Sequence, residues 1–220
     1  MRAFTYMFRD RHWLIKLAET ALLVLLCPAP VIGLFCLCAL LGYLAEIIHN
    51  VSNDYPRPLP VWDHIGEDIS KGARVLLAIL LYHAPPLIVI GLLYFAREAL
   101  AVSLFGSLTF AGVLAAILPL LMIYLAFAWT LLAIGLVRYA ETWDSGAFYH
   151  FDKLLRSMGN HRVLTLQWLV YSLAASMLLL VLLPVALLGL ILFFPVQGYL
   201  TGNYGRQLRA AELAYRPGQA

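Results

Sequence analysis

The stretch Leu59-Pro-Val-Trp-Asp-His-Ile-Gly-Glu-Asp-Ile-Ser-Lys-Gly-Ala-Arg74 holds five of the chain's 27 charged residues (15 basic, 12 acidic), and long uncharged runs lie on both sides of it. On a helix, Trp62, Ile65, Ile69 and Ala73 are three or four residues apart and therefore share one face. The prolines before this face predict that the helix begins near Trp62. The stretch therefore predicts a short amphipathic helix that lies in a membrane interface and continues directly into the apolar segment after it.

Five residues of this stretch also form a recognisable pattern: Leu59, Pro60, Trp62, Asp63 and Gly72. The pattern resembles the signature of a multi-pass membrane family, catalogued as domain of unknown function 4013. The resemblance covers most of the chain, because it extends to Phe8-Arg9-Asp10, to Gly42-Tyr43, and to Ala147-Phe148 leading to Asn160. It departs at Val61, where the family pattern has an acidic residue. The resemblance implies a membrane fold and no activity.

The composition excludes a soluble domain. Of the 220 residues, 63% are hydrophobic and only 12% are charged, whereas soluble chains carry about twice that charge. Cys27, Cys36 and Cys38 lie within one apolar run, which argues against a disulfide framework and a zinc site. Lys16 and Glu19 interrupt the first apolar segment, so we expect the N-terminus to be retained and not cleaved as a signal. We predict an all-α, polytopic protein of the cell inner membrane that contacts the lipid bilayer and binds no nucleic acid.

The uncharged runs predict about six transmembrane helices within a single domain, residues 1–220. Prolines lie near the middle of the first and the last run and are expected to break the helix there. We therefore expect three hairpins, at about 13–49, 72–138 and 163–205. One long kinked helix is the alternative for the first hairpin.

The segment 99–112 is compatible with a loop, a re-entrant piece or a full span, because its second part is rich in Gly, Ser and Thr. We interpret residues 103–112 as a turn or a re-entrant piece, with a full span as the alternative. The two polar loops, 50–74 and 138–162, are each expected to carry a short interfacial helix on the cytoplasmic side. In the second loop the apolar face of that helix consists of Phe148, Phe151, Leu154 and Leu155.

The distribution of Lys and Arg supports the six-span threading. The N-terminal segment, the two loops and the C-terminal tail hold 14 of the 15 basic residues, and Arg97 is the remaining one. An even number of spans places all four segments on one side, which the positive-inside rule assigns to the cytoplasm. Both termini are therefore expected to be cytoplasmic. The matching Gly-Tyr-Leu sequences at 42–44 and 198–200 also suggest a weak parallel repeat.

Three polar residues lie in or near the expected spans: Glu19, Tyr82 and His83. Ionisable residues at membrane depth are costly, so they are candidate functional positions. Two prolines follow His83 and leave the carbonyls one turn earlier without helical partners, which predicts a kinked span with a polar pocket. His83 is a candidate axial ligand for a chlorophyll-type pigment or a haem, or a proton or solute site. A neutral histidine bonded to a neighbouring helix is the structural alternative.

Two further polar groups are interpreted as structural. Lys16 and Glu46 are expected to form a salt bridge across the first hairpin. The carboxylates and the imidazole within residues 63–68 are interpreted as a solvated polar face and not as a metal site.

No catalytic signature is present, so we expect no enzymatic activity. Small extramembrane parts, and Gly, Ala and Ser along the spans, favour an accessory or assembly subunit that packs against a larger membrane complex. A respiratory or photosynthetic complex fits this description, with lipid, quinone or pigment contacts. The alternative is a small-solute transporter or channel that uses Glu19 and His83. The sequence predicts no fixed cofactor, and a chlorophyll-type pigment or a quinone stays open.

Overall fold

The computed structural model describes residues 2–100, 104–185 and 187–214, and every regular element in these ranges is helical, as predicted. The α-helices are α1 (Arg2–Thr5), α2 (Trp13–Leu26), α3 (Pro30–Ser52), α4 (Ile65–Leu100), α5 (Leu104–Thr142), α6 (Phe151–Asn160), α7 (Arg162–Val181) and α8 (Leu188–Ala214). Short 3-10 turns lie at Tyr6–Arg9 and Ser145–Phe148.

Within the described residues, four helical segments are long and apolar enough to cross a membrane, and their length and composition indicate a membrane protein. They are Pro30–Ser52, Ile65–Arg97, Thr109–Thr142 and Arg162–Val181. Helix α2 is not among them, because its 14 residues extend only about 21 Å, less than the roughly 30 Å of a hydrocarbon core. Helix α8 is long enough, but polar residues dilute its apolar half.

The first apolar run folds as a hairpin and not as one kinked helix. Ala29 has an extended backbone (φ −74°, ψ 127°), as expected for a residue before proline, and Pro30 opens α3 at a position where its missing N–H is not needed. A Cβ on Gly33 would lie 2.7 Å from the carbonyl carbon of Cys27. Glycine at this position therefore lets the two arms meet tightly. The last apolar run also breaks as predicted, between Val181 and Leu188.

Helix α4 continues into the apolar segment as predicted, although it begins at Ile65 and not near Trp62. It runs from Ile65 without a break to Leu100. The helix buries Asp68 and Gly72, whereas Ile65 and Ala73 are exposed. The face that packs against the rest of the protein is therefore the one with Asp68 and Gly72, and part of the apolar stripe stays exposed.

The expected turn or re-entrant piece at residues 103–112 is also wrong from Leu104 onward. These residues form the first turns of α5, which continues for 39 residues to Thr142. Residues 101–103 lie outside the described part of the chain.

Helix α3 lies at the centre and packs against α2, α4, α5 and α8. It crosses α4 in very close contact, because a Cβ on Gly42 would lie 2.7 Å from the carbonyl carbon of Asp68, and one on Gly72 would lie 2.6 Å from that of Cys38. Pairing of 42 with 68 and of 38 with 72 makes the two helices antiparallel. Glycine is required at both crossing positions, since any side chain would force the backbones apart.

Burial on α4 and α5 changes abruptly along their length. Among the described residues, Pro86 is the last buried residue of α4 and Ala128 is the first of α5. None of residues 87–97 or 109–127 is buried. Because the two helices run antiparallel, with the Tyr124 hydroxyl donating to the Tyr82 carbonyl over 3.0 Å, these two segments lie side by side. We call them the outer hairpin.

Candidate functional site

The signature loop is anchored by a buried ion pair near the start of α2. The Lys16 Nζ lies 2.6 Å from Asp10 Oδ2, and the two side chains are 7% and 2% exposed. The same ammonium donates to the backbone carbonyl of Leu59 over 2.6 Å. The expected salt bridge between Lys16 and Glu46 is therefore wrong. Lys16 instead binds the N-terminal segment and the signature loop together.

The charge state of Asp10 follows from its contacts. Burial acts to raise the pKa of Asp10, but the hydrogen bonds from Lys16 and the His12 backbone N–H, with the charges of Lys16 and Arg57, outweigh it. The pKa of Asp10 therefore lies below its ordinary value. Asp10 is ionised at neutral pH, and the buried pair with Lys16 is a charged one.

The signature tryptophan is buried inside the protein. The ring of Trp62 stacks on that of Tyr43, with centroids 4.4 Å apart and an interplanar angle of 11°. Leu59 and Pro60 are buried beside it, whereas Asp63 is exposed. Four of the five signature residues are thus packing residues that fix the loop against α3 and α4, with Gly72 at the helix crossing.

A second charged cluster surrounds Lys71 on α4. Its Nζ lies 2.6 Å from Glu46 Oε1 and 3.7 Å from Glu67 Oε2, so the i, i+4 pair with Glu67 is the weaker of the two contacts. The ammonium also lies 4.6 Å from the ring centroid of Trp143, a cation–π contact. No group of three or more metal-ligating side chains occurs in the described part of the chain.

The second polar loop folds back onto the bundle from the end of α5. Trp143 has a positive φ of 56°, and Asp144 caps the following 3-10 turn by accepting from the Gly146 N–H over 2.9 Å. This turn inserts Phe148, which is fully buried, and α6 then buries Leu154 while Phe151 is 44% exposed. The loop therefore folds back along α4 and α5 and packs the Phe148 side chain against Gly135.

Tyr82 lies in a small polar network at the level where α4 emerges from the bundle. Its hydroxyl donates to the Phe148 carbonyl over 2.8 Å. Its own carbonyl, which Pro86 leaves without a helical donor, accepts from the Tyr124 hydroxyl. This contact supplies a partner for one of the two carbonyls that the prolines were expected to free, and the predicted kink stays a prediction.

His83 is half-buried, and its Nδ1 lies 2.8 Å from the Ile79 carbonyl of the same helix. A carbonyl partner requires a proton on Nδ1, which leaves the lone pair of the neutral ring on Nε2. Nε2 is therefore the atom with which His83 would ligate a metal or accept a proton. Glu19 lies on the exposed face of α2, and the described contacts do not connect it with His83.

Sequence reasoning missed one buried polar group. The Gln197 side chain on α8 is 4% exposed; it accepts from the Ser172 hydroxyl over 2.8 Å and donates to the Ser176 hydroxyl over 2.9 Å. This network joins α7 and α8. The signal for it was an amide within an apolar run, since such a group needs partners inside the protein.

Comparison with known proteins identifies a family. Neither a search of curated proteins nor a search of solved structures found a match. A family model described as "Protein of unknown function (DUF4013)" matches residues 22–194, a range that includes the whole signature but not Asp10 or Lys16. Because this match covers well over half of the chain and confirms the resemblance of the signature, the protein belongs to the DUF4013 family.

Proposed function

We propose that this protein is a non-enzymatic accessory or assembly subunit of a larger inner-membrane complex, of respiratory or photosynthetic type. In this proposal the outer hairpin is the surface on which transmembrane helices of that complex pack. The observation that carries it is the exposure of the outer hairpin along its whole described length.

The outer hairpin differs from the rest of the bundle because none of its residues in 87–97 and 109–127 is buried, although its two segments lie beside each other. It presents large apolar side chains, among them Phe95 (72% exposed), Leu92 (65%) and Leu120 (65%). Lipid covers such side chains in any membrane protein, so exposure alone does not select a protein partner. The glycines of the hairpin add the second part of the argument.

Gly91 and Gly112 both lie in the outer hairpin, and a Cβ added to either would meet nothing within 4 Å. Glycine in a helix is less favourable than alanine by about 1 kcal/mol. Elsewhere in the bundle, at Gly42, Gly72 and Gly198, that disadvantage is offset by close helix contact. A helix from a partner that approaches at Gly91 or Gly112 would supply the same compensation.

The proposed orientation places both termini and both polar loops in the cytoplasm. We propose six membrane segments arranged as three hairpins, α2 with α3, α4 with α5, and α7 with α8, with α6 in the cytoplasmic interface. Each hairpin enters and leaves the membrane on the cytoplasmic side, and α2, although too short to cross a full hydrocarbon core by itself, forms the first arm of its hairpin. The N-terminal segment, the two polar loops 50–74 and 138–162, and the C-terminal tail hold 14 of the 15 Lys and Arg residues, and this distribution supports the orientation. The burial pattern of α6 supports this interfacial position, because the helix buries Leu154 and exposes Lys153 and Arg156.

Site-specific photo-crosslinking in native membranes tests the subunit proposal. A photoreactive residue at Phe95 or Leu120 is expected to give a discrete product with a second membrane protein. The matched control is Leu166 on α7, which is equally exposed at 62% but lies outside the outer hairpin. Equal labelling at all three positions, together with a free monomer on blue-native gels, would contradict the proposal. The absorption spectrum of the purified complex, with and without His83→Ala, tests for a bound pigment or haem.

Transport through Glu19 and His83 remains the alternative. It requires the two side chains to face a common pathway, whereas Glu19 is exposed on α2 and His83 bonds within α4. Solute flux in liposomes that disappears on replacing either residue with alanine would favour transport over the subunit proposal.

A further inference from the structure

A cleft of about 330 Å³ opens at the end of the bundle where the N-terminal segment meets the loop after α3 and the middle of α8. Its floor is the stacked pair Tyr6 and Tyr199, whose ring centroids are 4.6 Å apart. Tyr6 is held in place because its hydroxyl donates to the Pro195 carbonyl over 2.9 Å. One wall is formed by Tyr55, Pro56 and Pro58.

The cleft is preorganised by its wall. Prolines fix φ and leave the segment few alternative conformations, and Asp54 before them adopts a positive φ of 58°. A volume of this size lies at the lower end of the range for small-molecule sites. The cleft is therefore a formed site with room for a small polar ligand.

Two guanidinium groups line the cleft. Arg206 is bound to Asp54 Oδ1 at 2.8 Å and to Asn203 Oδ1 at 2.9 Å. Arg9 also lines the cleft, and no described acidic side chain forms an ion pair with it. The lining therefore carries two positive charges and one negative charge, and the negative one is an exposed carboxylate already shared with Arg206.

We propose that this cleft binds a phosphate group, with Arg9 as the main contact and Arg206 as the second. Guanidinium groups present paired N–H donors that match phosphate oxygens, and they stay charged at any physiological pH. The aromatic floor fits the glycerol or sugar carbons that accompany a phosphate ester. The phosphate belongs either to a lipid headgroup of the adjacent leaflet or to a soluble phosphate compound, and the test below separates these two sources.

The experiment is isothermal titration calorimetry of the purified full-length protein with two probes. The protein is kept in a non-ionic detergent that contains no zwitterionic detergent or lipid. Inorganic phosphate represents the soluble source, and dioctanoyl phosphatidate represents the headgroup. Binding of phosphatidate alone assigns a lipid headgroup, whereas binding of inorganic phosphate with equal or higher affinity assigns a soluble phosphate compound. Absence of binding by both probes up to millimolar concentration overturns the proposal.

Variants test the site itself. Arg9→Gln is expected to weaken binding by at least about tenfold, since it removes a charge-assisted contact. Arg11→Gln is the matched control, because Arg11 is also exposed on the N-terminal segment but does not line the cleft; it is expected to change affinity by less than about twofold. Equal losses in the two variants would show a diffuse basic surface and overturn the proposal.

The variant Asp54→Asn is expected to change the affinity for phosphate in the opposite direction. It removes the competing carboxylate and keeps a residue that tolerates a positive φ, so phosphate binding is expected to strengthen several-fold. Weaker binding by this variant, with an unchanged melting temperature, would contradict the assignment of Arg206 to the site.

Discussion

Replacing Gly72 with alanine is the most direct test of the helix crossing that organises this fold. The new Cβ would lie 2.6 Å from the carbonyl carbon of Cys38 and 2.6 Å from the backbone nitrogen of Gly42. Ordinary contacts of a Cβ begin near 3.4 Å, so α3 and α4 have to separate by close to 1 Å. Both opposing groups are backbone atoms, and no side-chain rotation relieves the clash.

The expected loss in the free energy of unfolding follows from that separation of the two helices. Overpacking of a well-filled interior costs about 1–3 kcal/mol, and a gap of about 1 Å removes up to half of the dispersion energy of each contact along the crossing. Alanine recovers about 1 kcal/mol through its better helix propensity. We expect Gly72→Ala to lower the free energy of unfolding by about 2 kcal/mol or more.

Gly66 on the same helix provides the matched control. A Cβ there would meet nothing within 4 Å, so Gly66→Ala is expected to raise stability by about 0.5–1 kcal/mol. Reversible unfolding in mixed micelles, followed by circular dichroism, measures both variants against the original protein. If Gly72→Ala and Gly66→Ala proved equally stable, the close approach of α3 and α4 would be refuted.

Three other predictions concern buried polar groups and orientation. Lys16→Met leaves the Asp10 carboxylate buried without its cation and is expected to destabilise the fold by about 3–5 kcal/mol. Because the pKa of Asp10 is lowered in the fold, the stabilising contribution of Asp10 is present above pH 4 and is lost as the pH falls below its ordinary pKa of about 3.9. Melting temperatures of the original protein and of Asp10→Asn between pH 7 and pH 3 measure this loss. Gln197→Leu removes the link between α7 and α8 and is expected to cost about 1–2 kcal/mol, measured by the same unfolding assay. A phosphatase reporter fused after Ala220 or inserted at Gly146 is expected to be inactive because the proposed orientation places both sites in the cytoplasm, and activity at either site would contradict that orientation.

The helix breaks were predictable from sequence because proline acts locally. Helix α2 ends before Pro28, Pro30 opens α3, and α7 ends before Pro184, so the two terminal hairpins follow from the ring geometry of these prolines. The free carbonyl of Tyr82 was predictable for the same reason, although its donor, Tyr124, was not. A local rule identifies the unsatisfied group, whereas the partner depends on which helix packs there.

The errors have equally physical origins. Gly106 and Gly112 suggested a turn, but α5 is helical through both. In the absence of competing water, the backbone satisfies its hydrogen bonds within the helix, and glycine is frequent in such helices. The partner of Lys16 was missed because Asp10 reaches it through a 3-10 turn that no helical spacing describes. The cleft beside Arg9 was missed for a similar reason, since three distant parts of the chain form it.

The rotation of α4 shows why amphipathic patterns have to be interpreted differently in this chain. In water, the apolar face of a helix packs inward and its polar face is solvated. Along α4 the opposite occurs, because Asp68 and Gly72 face the interior while Leu77 and Leu80 are 60% and 53% exposed. Lipid accepts leucine as readily as a protein core does, whereas a carboxylate and a close backbone crossing are stable only inside the protein. The inward face of such a helix is therefore indicated by its small and polar residues, and by that criterion Asp68, Gly72 and Tyr82 predict the buried face that the apolar stripe did not.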